Sequence, residues 1–432
     1  MSQRTLGFHV HYGRWVKFAE DLSTEALLSQ VRRSPLLLCS ICLIAVRHTT
    51  QELADELAPS LFEEVKRLLA PALLSVPQSI DFFQAVLVLS LWSTTIGQVP
   101  LNVDSWLLTG YALQLSLASP RFSEVLRSES RPSGDRTQLD AWCIWNHLCV
   151  AHLQYCVGTR RPSLLNQQLV DRCLHFLECD NVTNFETRMV AEVKLYWVIY
   201  EKCCGPQIDV SDAKATLQDW KRHWAALFDQ PRAQFLQMGF HFAHLVAYYN
   251  SLKSARAVMR SSVLGEMVRL ATAIINLAMD TTDQRTRHLT DHIYHIITFS
   301  AITLCRLLHT YESKLRASGH DIMALDHLVI KLVNWLRSIG LPCHVAHIFG
   351  EVVFAQHKKL RPGFHPVRPS TNTSYVDMVG NGRIADDQQA SLSNEISFLY
   401  PDFIGSELFN LDADSSLWPQ WDQMLSDTDM SV

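Results

Sequence analysis

The 432-residue sequence predicts an all-α protein, a large helical domain of packed helices followed by a disordered acidic C-terminal tail. Three observations predict it. Apolar residues recur at helical spacing through the first 360 positions, alternating β-branched and aromatic runs between turn signals are nearly absent, and acidic residues collect at one end. Hydrophobic residues make up 48% of the chain and charged residues 19%, a composition too apolar for a wholly disordered protein. The formal net charge of −5 is a sum of unlike parts. From Ile384 to Val432 there are ten acidic residues and no Lys, Arg or His, whereas the preceding residues hold 38 basic and 33 acidic groups. A weakly basic body thus carries a uniformly acidic tail, and charge blocks of this kind are interaction segments more often than core.

The first elements are short and apolar. The runs from Leu36 to Val46 and from Asp81 to Trp92 fall below the roughly 20 residues of a membrane-spanning helix, so both read as buried helices and no membrane contact is expected. Prolines at 35, 59, 71, 77, 100 and 120 divide this region into pieces of one or two helices. Trp142, Trp145, Cys149, His152 and Cys156 then form one helical stripe, with Gly158 placed for a left-handed C-cap and Pro162 for a stop. A second stripe runs through Ala213, Leu217, Trp220, Trp224 and Phe228 behind Ser211 as N-cap. No proline occurs between Arg232 and Leu341, which implies long helices joined by short polar turns such as Thr281 to Arg287. A third stripe, Leu325, Leu328, Leu332, Trp335 and Ile339, ends at Gly340 and Pro342.

After Leu360 the texture changes. Pro362, Pro366 and Pro369 give way to Ser, Thr, Asn, Gly and Gln up to Asn394. The expected organisation is a helical domain over 1–360, a flexible linker over 361–394 and an acidic-aromatic segment over 395–432. No repeat of fixed period is visible.

Chemical motifs are weak. Gly380-Asn-Gly382-Arg-Ile-Ala385 matches a dinucleotide fingerprint, but it lies in the linker without a βαβ unit and reads as a turn. Cys39 and Cys42 sit inside an apolar run without a second ligand pair, and read as core. His288, His292 and His295 with Asp291 are the best metal-like group, since their spacing puts three imidazoles on one helix face; the plainer reading is a partly exposed polar face. No nucleophile elbow or phosphate loop is present, so no enzyme, cofactor or metal site is expected. The first thirty residues contain Arg4, Arg14, Lys17, Glu20 and Asp21 and no apolar signal core, and the eleven cysteines are an odd, scattered set. Reduced thiols in a cytosolic or nuclear protein are expected.

The tail has a positive mechanism. Phe398, Tyr400, Phe403, Leu408, Phe409, Trp418 and Trp421 alternate with Glu395, Asp402, Glu407, Asp412, Asp414 and Asp422, the pattern of disordered transcriptional activation segments. Mutual repulsion keeps the aromatic residues in water until a coactivator groove buries them as a short helix. The competing reading is an arm that docks on its own body, and the two combine naturally into an on/off switch.

Several stretches carry a resemblance. Arg33-Ser-Pro-Leu-Leu-Leu-Cys-Ser-Ile-Cys-Leu-Ile-Ala-Val-Arg-His48, Asp104-Ser-Trp-Leu-Leu-Thr-Gly-Tyr-Ala-Leu-Gln-Leu-Ser-Leu117, and Trp142 to Trp145 leading to Val157-Gly-Thr-Arg-Arg-Pro162 occur in that order. Together with Leu217 to Trp224, the chain over roughly residues 10 to 350 resembles the middle homology (regulatory) region of fungal zinc-cluster transcription factors, in particular activators of secreted-protease or weak-acid-resistance type. The resemblance singles out Trp106, Gly110, Trp142, Trp145, Gly158, Arg161 and Pro162 as structural motif positions. It implies a nuclear regulator of a metabolic or biosynthetic gene set, such as a secondary-metabolite cluster, with coactivators, a DNA-binding partner protein and a small-molecule effector as partners. The family's six-cysteine zinc cluster has no counterpart in this sequence, so the expectation is a lost cluster or a gene model lacking its exon. Lys358, Lys359, Arg361 and Arg368 form the only modest basic patch, read as a solvated helix end before a nuclear-import signal, and direct DNA contact by this chain alone is not expected. The alternative is a non-catalytic helical scaffold.

Overall fold

The computed structural model describes Phe8 and residues 11–18, 23–96, 99–101, 103–122, 136–179, 182–205, 207–231, 233–252, 259–281 and 284–364. All but the start of the linker, the fingerprint-like Gly380 to Ala385, Arg368 and the whole acidic-aromatic segment lie outside the described residues. The body is all-α. Its helices are α1 (Thr24–Arg32), α2 (Pro35–Ala45), α3 (Gln51–Ala72), α4 (Ile80–Leu91), α5 (Ser105–Ala118), α6 (Arg136–Thr159), α7 (Gln167–Arg172) and α8 (Asn184–Val198). They continue through α9 (Val210–His223), α10 (Ala225–Phe228), α11 (Gln234–Ser251), α12 (Ser261–Met279), α13 (Asp291–Thr310), α14 (Glu312–Ala317), α15 (Ile322–Arg337) and α16 (Val345–Leu360).

Local chemistry starts these helices where side chains can hold the first free N–H groups. The Ser34 hydroxyl accepts from Leu37 N with Pro35 at the first helical position, where a missing N–H costs nothing. Thr50, Asp104, Asn166 and Asp321 cap α3, α5, α7 and α15 in the same way, and Thr183 with Glu186 forms a reciprocal capping box on α8. The Trp142 stripe is buried as expected, and so is the Leu217 stripe except for a half-buried Phe228. In the third stripe Leu332 and Ile339 are buried but Leu325, Leu328 and Trp335 only partly, because α15 turns Ile322, Val329, Val333 and Leu336 inward, and the positive φ of Gly340 (66°) follows it.

Four sequence expectations change. The cap of α9 is Asp209, which accepts from both Ser211 N and Asp212 N, so Ser211 lies inside the first turn; α9 ends at His223, and Trp224 and Phe228 belong to the following turn and α10. Gly158 stays inside α6, and it is Arg160 that adopts the left-handed conformation (φ 56°). Pro59 and Pro71 do not divide the chain, because both lie within α3 on its exposed side, where water can satisfy the carbonyls freed near Asp55 and Arg67. A two-stranded antiparallel hairpin, β1 (Thr94–Ile96) and β2 (Val99–Leu101), follows α4.

The helices pack in a chain of neighbours, α3 on α2, α2 on α4, α4 on α5 and α6, and α6 on α8; α11, α12, α13, α16 and α15 then follow pairwise. Among the described helices α12 is the one long and apolar enough to cross a membrane, so it exceeds the two runs noted in the sequence. It packs between α11 and α13, burying Leu264, Met267, Leu270, Ala271, Ile274 and Ile275. At the centre lies α13, with sixteen of its twenty residues buried.

Polar bonds tie the N-terminal helices to the C-terminal ones. Ser93 donates from both its backbone N and its Oγ to Asp291 Oδ2 (2.7 and 2.6 Å), Thr95 Oγ1 donates to the Cys343 carbonyl (2.8 Å), and Arg47 Nη2 lies 2.6 Å from His344 Nε2. Because these contacts bridge about 200 to 300 positions of sequence, the two ends of the body fold as one unit. All eleven cysteines are free thiols, with Cys39 and Cys42 half-buried in α2.

Candidate functional site

Four of the motif positions meet at one corner. The Trp106 indole on the first turn of α5 donates from Nε1 to the Pro162 carbonyl (3.1 Å), and Arg161 lies over its ring, 5.1 Å from the centroid. Arg161 also pairs with Asp104 (2.5 Å), the residue that caps α5. The corner is fixed from inside by His152 of α6. Its Nε2 accepts from Leu164 N (3.2 Å), so the proton sits on Nδ1 and is donated to Thr109 Oγ1 (3.1 Å), whose hydroxyl bonds back to the Ser105 carbonyl (2.6 Å). Burial pushes the His152 imidazole down to about 4, which keeps this tautomer neutral.

Gly110 makes the close approach possible. A Cβ at that position would stand 3.1 Å from both His152 Cε1 and Leu164 Cδ1. Gly158 is buried one turn away in α6, whereas Trp142 and Trp145, also buried, lie roughly 20 Å further along the same helix by its rise per residue and belong to the core. The motif is therefore two structural features.

The metal-like group does not assemble. His288 sits in a 3₁₀ turn (Gln284–His288) before α13, so it is not on the helix of His292 and His295, and those two are buried instead of forming a partly exposed face. Each ring has its own partner: His288 Nδ1 meets Tyr12 Oη (2.9 Å), His292 Nε2 meets Tyr196 Oη, and His295 stands edge-on to Phe349. Burial holds all three well below the ordinary imidazole range, His288 at about 2 and His295 at about 3. Asp291 is bound by Ser93, and burial raises its carboxyl to about 6 against the opposing effect of Arg47. No group of three or more metal-ligating side chains occurs among the described residues.

The basic patch changes as well. Arg361 is half-buried and spent on carboxylates: its Nη2 and Nε reach Asp326 (2.9 and 3.2 Å), and its Nη1 bonds Glu312. His357 Nε2 meets the same Asp326 (3.0 Å), so the junction between α16 and the linker is an ion-paired clasp; Lys358 and Lys359 remain exposed beside it.

Sequence reasoning missed a cavity of 400 Å³. Trp15 and His11 from the N-terminal segment, His147, Val150 and Gln154 of α6, Phe185, Arg188, Met189 and Glu192 of α8, Gln234 and Phe235 of α11, and Thr281, Thr286, His288, Leu289, Thr290 and Ile293 line it. The wall combines large apolar side chains, among them Trp15, Phe185 and Phe235, with converging polar ones, the kinds of group a small-molecule site uses for burial and for orientation. His11 stacks flat on His288 at one side (3.7 Å between centroids). Gln154 is 8% exposed yet finds no hydrogen-bond partner among the described residues. Burial lifts the Glu192 carboxyl to about 7, with Arg188 opposing. The available signal in the sequence was Gln154 next to Leu153 and Cys156 in α6, and Glu192 between Ala191 and Val193 in α8, polar residues beside buried ones.

A helical body built this way, with its tryptophan and arginine corner, is that of a fungal transcription-factor middle region. The chain belongs to the family described as the transcriptional activator of proteases prtT middle domain, which matches residues 4–360. It is similar to a Schizosaccharomyces pombe protein named an uncharacterized transcriptional regulatory protein, 27% identical over 391 residues, covering 85% of this chain and 72% of that one. It is also similar to the transcriptional activators of proteases prtT of Aspergillus clavatus (26% identical, 69% of this chain and 47% of that one) and Penicillium rubens (27% identical, 69% and 45%). The chain thus spans about half the length of these two activators. No solved structure matches it.

Proposed function

We propose that the chain is a nuclear transcriptional activator of a metabolic or biosynthetic gene set, with residues 1–360 as regulatory domain, 361–394 as linker and 395–432 as activation segment. The observation that carries this reading is the joining of a transcription-regulator body to a tail that alternates acids with large apolar residues. Phe398, Tyr400, Phe403, Leu408, Phe409, Trp418 and Trp421 are the groups a coactivator groove would bury. The cavity supports a role for a small-molecule effector that sets whether the tail is presented. Contact with DNA falls to a separate DNA-binding module or partner protein, since Arg361, the centre of the basic patch, is held by Asp326 and Glu312. No catalytic step enters this reading.

Fusing residues 380–432 to an unrelated DNA-binding domain tests it. Reporter activation in a fungal host, lost when the seven large residues become Ala, is the expected result. An inert fusion would remove the activation role.

A further inference from the structure

We infer that the cavity between α6, α8 and α11 binds a small aromatic molecule carrying a protonated amine, with Glu192 as the counter-charge. This deepens the effector role proposed above and rests on it.

The argument starts from what the wall leaves unpaired. Glu192 makes no hydrogen bond and no ion pair with a described residue, and it is the only acidic group among the described residues that line the cavity. Its neighbour one turn earlier, Arg188, also lines the space and acts on Glu192 through its charge, but it forms no direct ion pair with the carboxylate; its Nη2 donates to the Pro231 carbonyl (3.0 Å). Arg14 lies over the Phe185 ring (4.8 Å), on a residue of the wall and outside the lining itself. His147 and His288 bring no charge at neutral pH, because burial holds them at about 3 and about 2. The Glu192 carboxylate is therefore the anionic group that the described wall offers to a ligand without a hydrogen bond of its own.

The remaining wall fits the rest of such a ligand. Trp15 and Phe185 stand edge to face (5.9 Å between centroids), and Phe235, Val150 and Met189 complete an apolar slot for a ring. Aromatic faces also attract an ammonium group directly. Gln154, nine-tenths buried and without a hydrogen-bond partner among the described residues, offers an amide at the same cavity, and its carbonyl oxygen can accept from a ligand N–H.

Calorimetric titration of the full chain at pH 8 with three shape-matched probes tests the inference: 2-phenylethylamine, 2-phenylethanol and phenylacetate. The amine should bind about tenfold more tightly than the alcohol, from one charge-assisted bond, with phenylacetate weakest. Glu192→Gln should bring the amine to the level of the alcohol, while a melting temperature no lower than that of the wild type shows the variant folded. Ile293→Trp, which fills the slot, should weaken all three. An amine no tighter than the alcohol, an amine unaffected by Glu192→Gln, or no binding by any probe overturns the inference. Alcohol or phenylacetate binding that Ile293→Trp removes would leave the effector role standing without the amine, and the tail fusion is read independently of either.

Discussion

Replacing Arg361 by Gln removes the positive charge from the clasp that closes the helical body. Asp326 has a fully buried side chain and accepts from His357 Nε2 (3.0 Å), Arg361 Nη2 (2.9 Å) and Arg361 Nε (3.2 Å). The variant strands that carboxylate with His357 as its remaining partner. Breaking one side of a buried pair costs about 3–5 kcal/mol, and the retained His357 bond together with the 13% exposure of Arg361 places this case near about 3 kcal/mol. With an unfolding entropy of about 2.1 cal/mol/K per residue, a body of this size should melt about 4 °C lower. Pairing the change with Asp326→Asn should restore most of the loss, because no buried charge is left over. Burial alone would raise the Asp326 carboxyl, but the His357 and Arg361 bonds outweigh it and hold the group below its ordinary 3.8. Its contribution is therefore present above pH 3.8 and is lost as pH falls through the lowered folded value, so the gap between wild type and variant should shrink on acidification. Scanning calorimetry of both variants from pH 2 to pH 8 reads these effects. A single variant as stable as wild type, or a double variant no better than the single, would refute the reasoning.

Two further changes follow from the same structure. Gly110→Ala gains about 1 kcal/mol of helix propensity but pushes on His152 and Leu164 at 3.1 Å, so a net loss of about 1–2 kcal/mol is expected in urea unfolding; an unchanged midpoint would show that the corner does not pack around this residue. Glu192→Gln should match wild type near pH 5 and exceed it by about 1–3 kcal/mol at pH 8. The sign follows from a folded carboxyl raised to about 7: its contribution is full below the unfolded value of 4.5 and is lost as pH rises through 7, a loss Gln cannot suffer. Melting temperatures at the two pH values check this, and equal curves at both would contradict it.

Helical spacing made the packed body legible because a period of 3.6 records which face is buried, as in Trp142, Trp145, Cys149 and Cys156 of α6. Ends of helices were less legible. Asp209 and Ser211 are both good caps, and only the backbone geometry decides that Asp209 takes the role. Gly158 is free to take a left-handed turn, yet tertiary packing buries it and transfers the turn to Arg160. The three-histidine group failed for a similar reason: a turn before Asp291 takes His288 off the helix, and the rings follow three separate partners. The cavity depends on α6, α8 and α11 meeting the segment around His288, a contact of distant positions that no local pattern encodes.

The account centres on activation driven by the tail and presented by the helical body. The most direct measurement tethers residues 1–432 and residues 1–364 to DNA through the same heterologous binding domain and compares reporter output at equal protein levels. Strong activation by 1–432 and background output from 1–364 is the predicted result. Equal output from the two, or background from both, would contradict it.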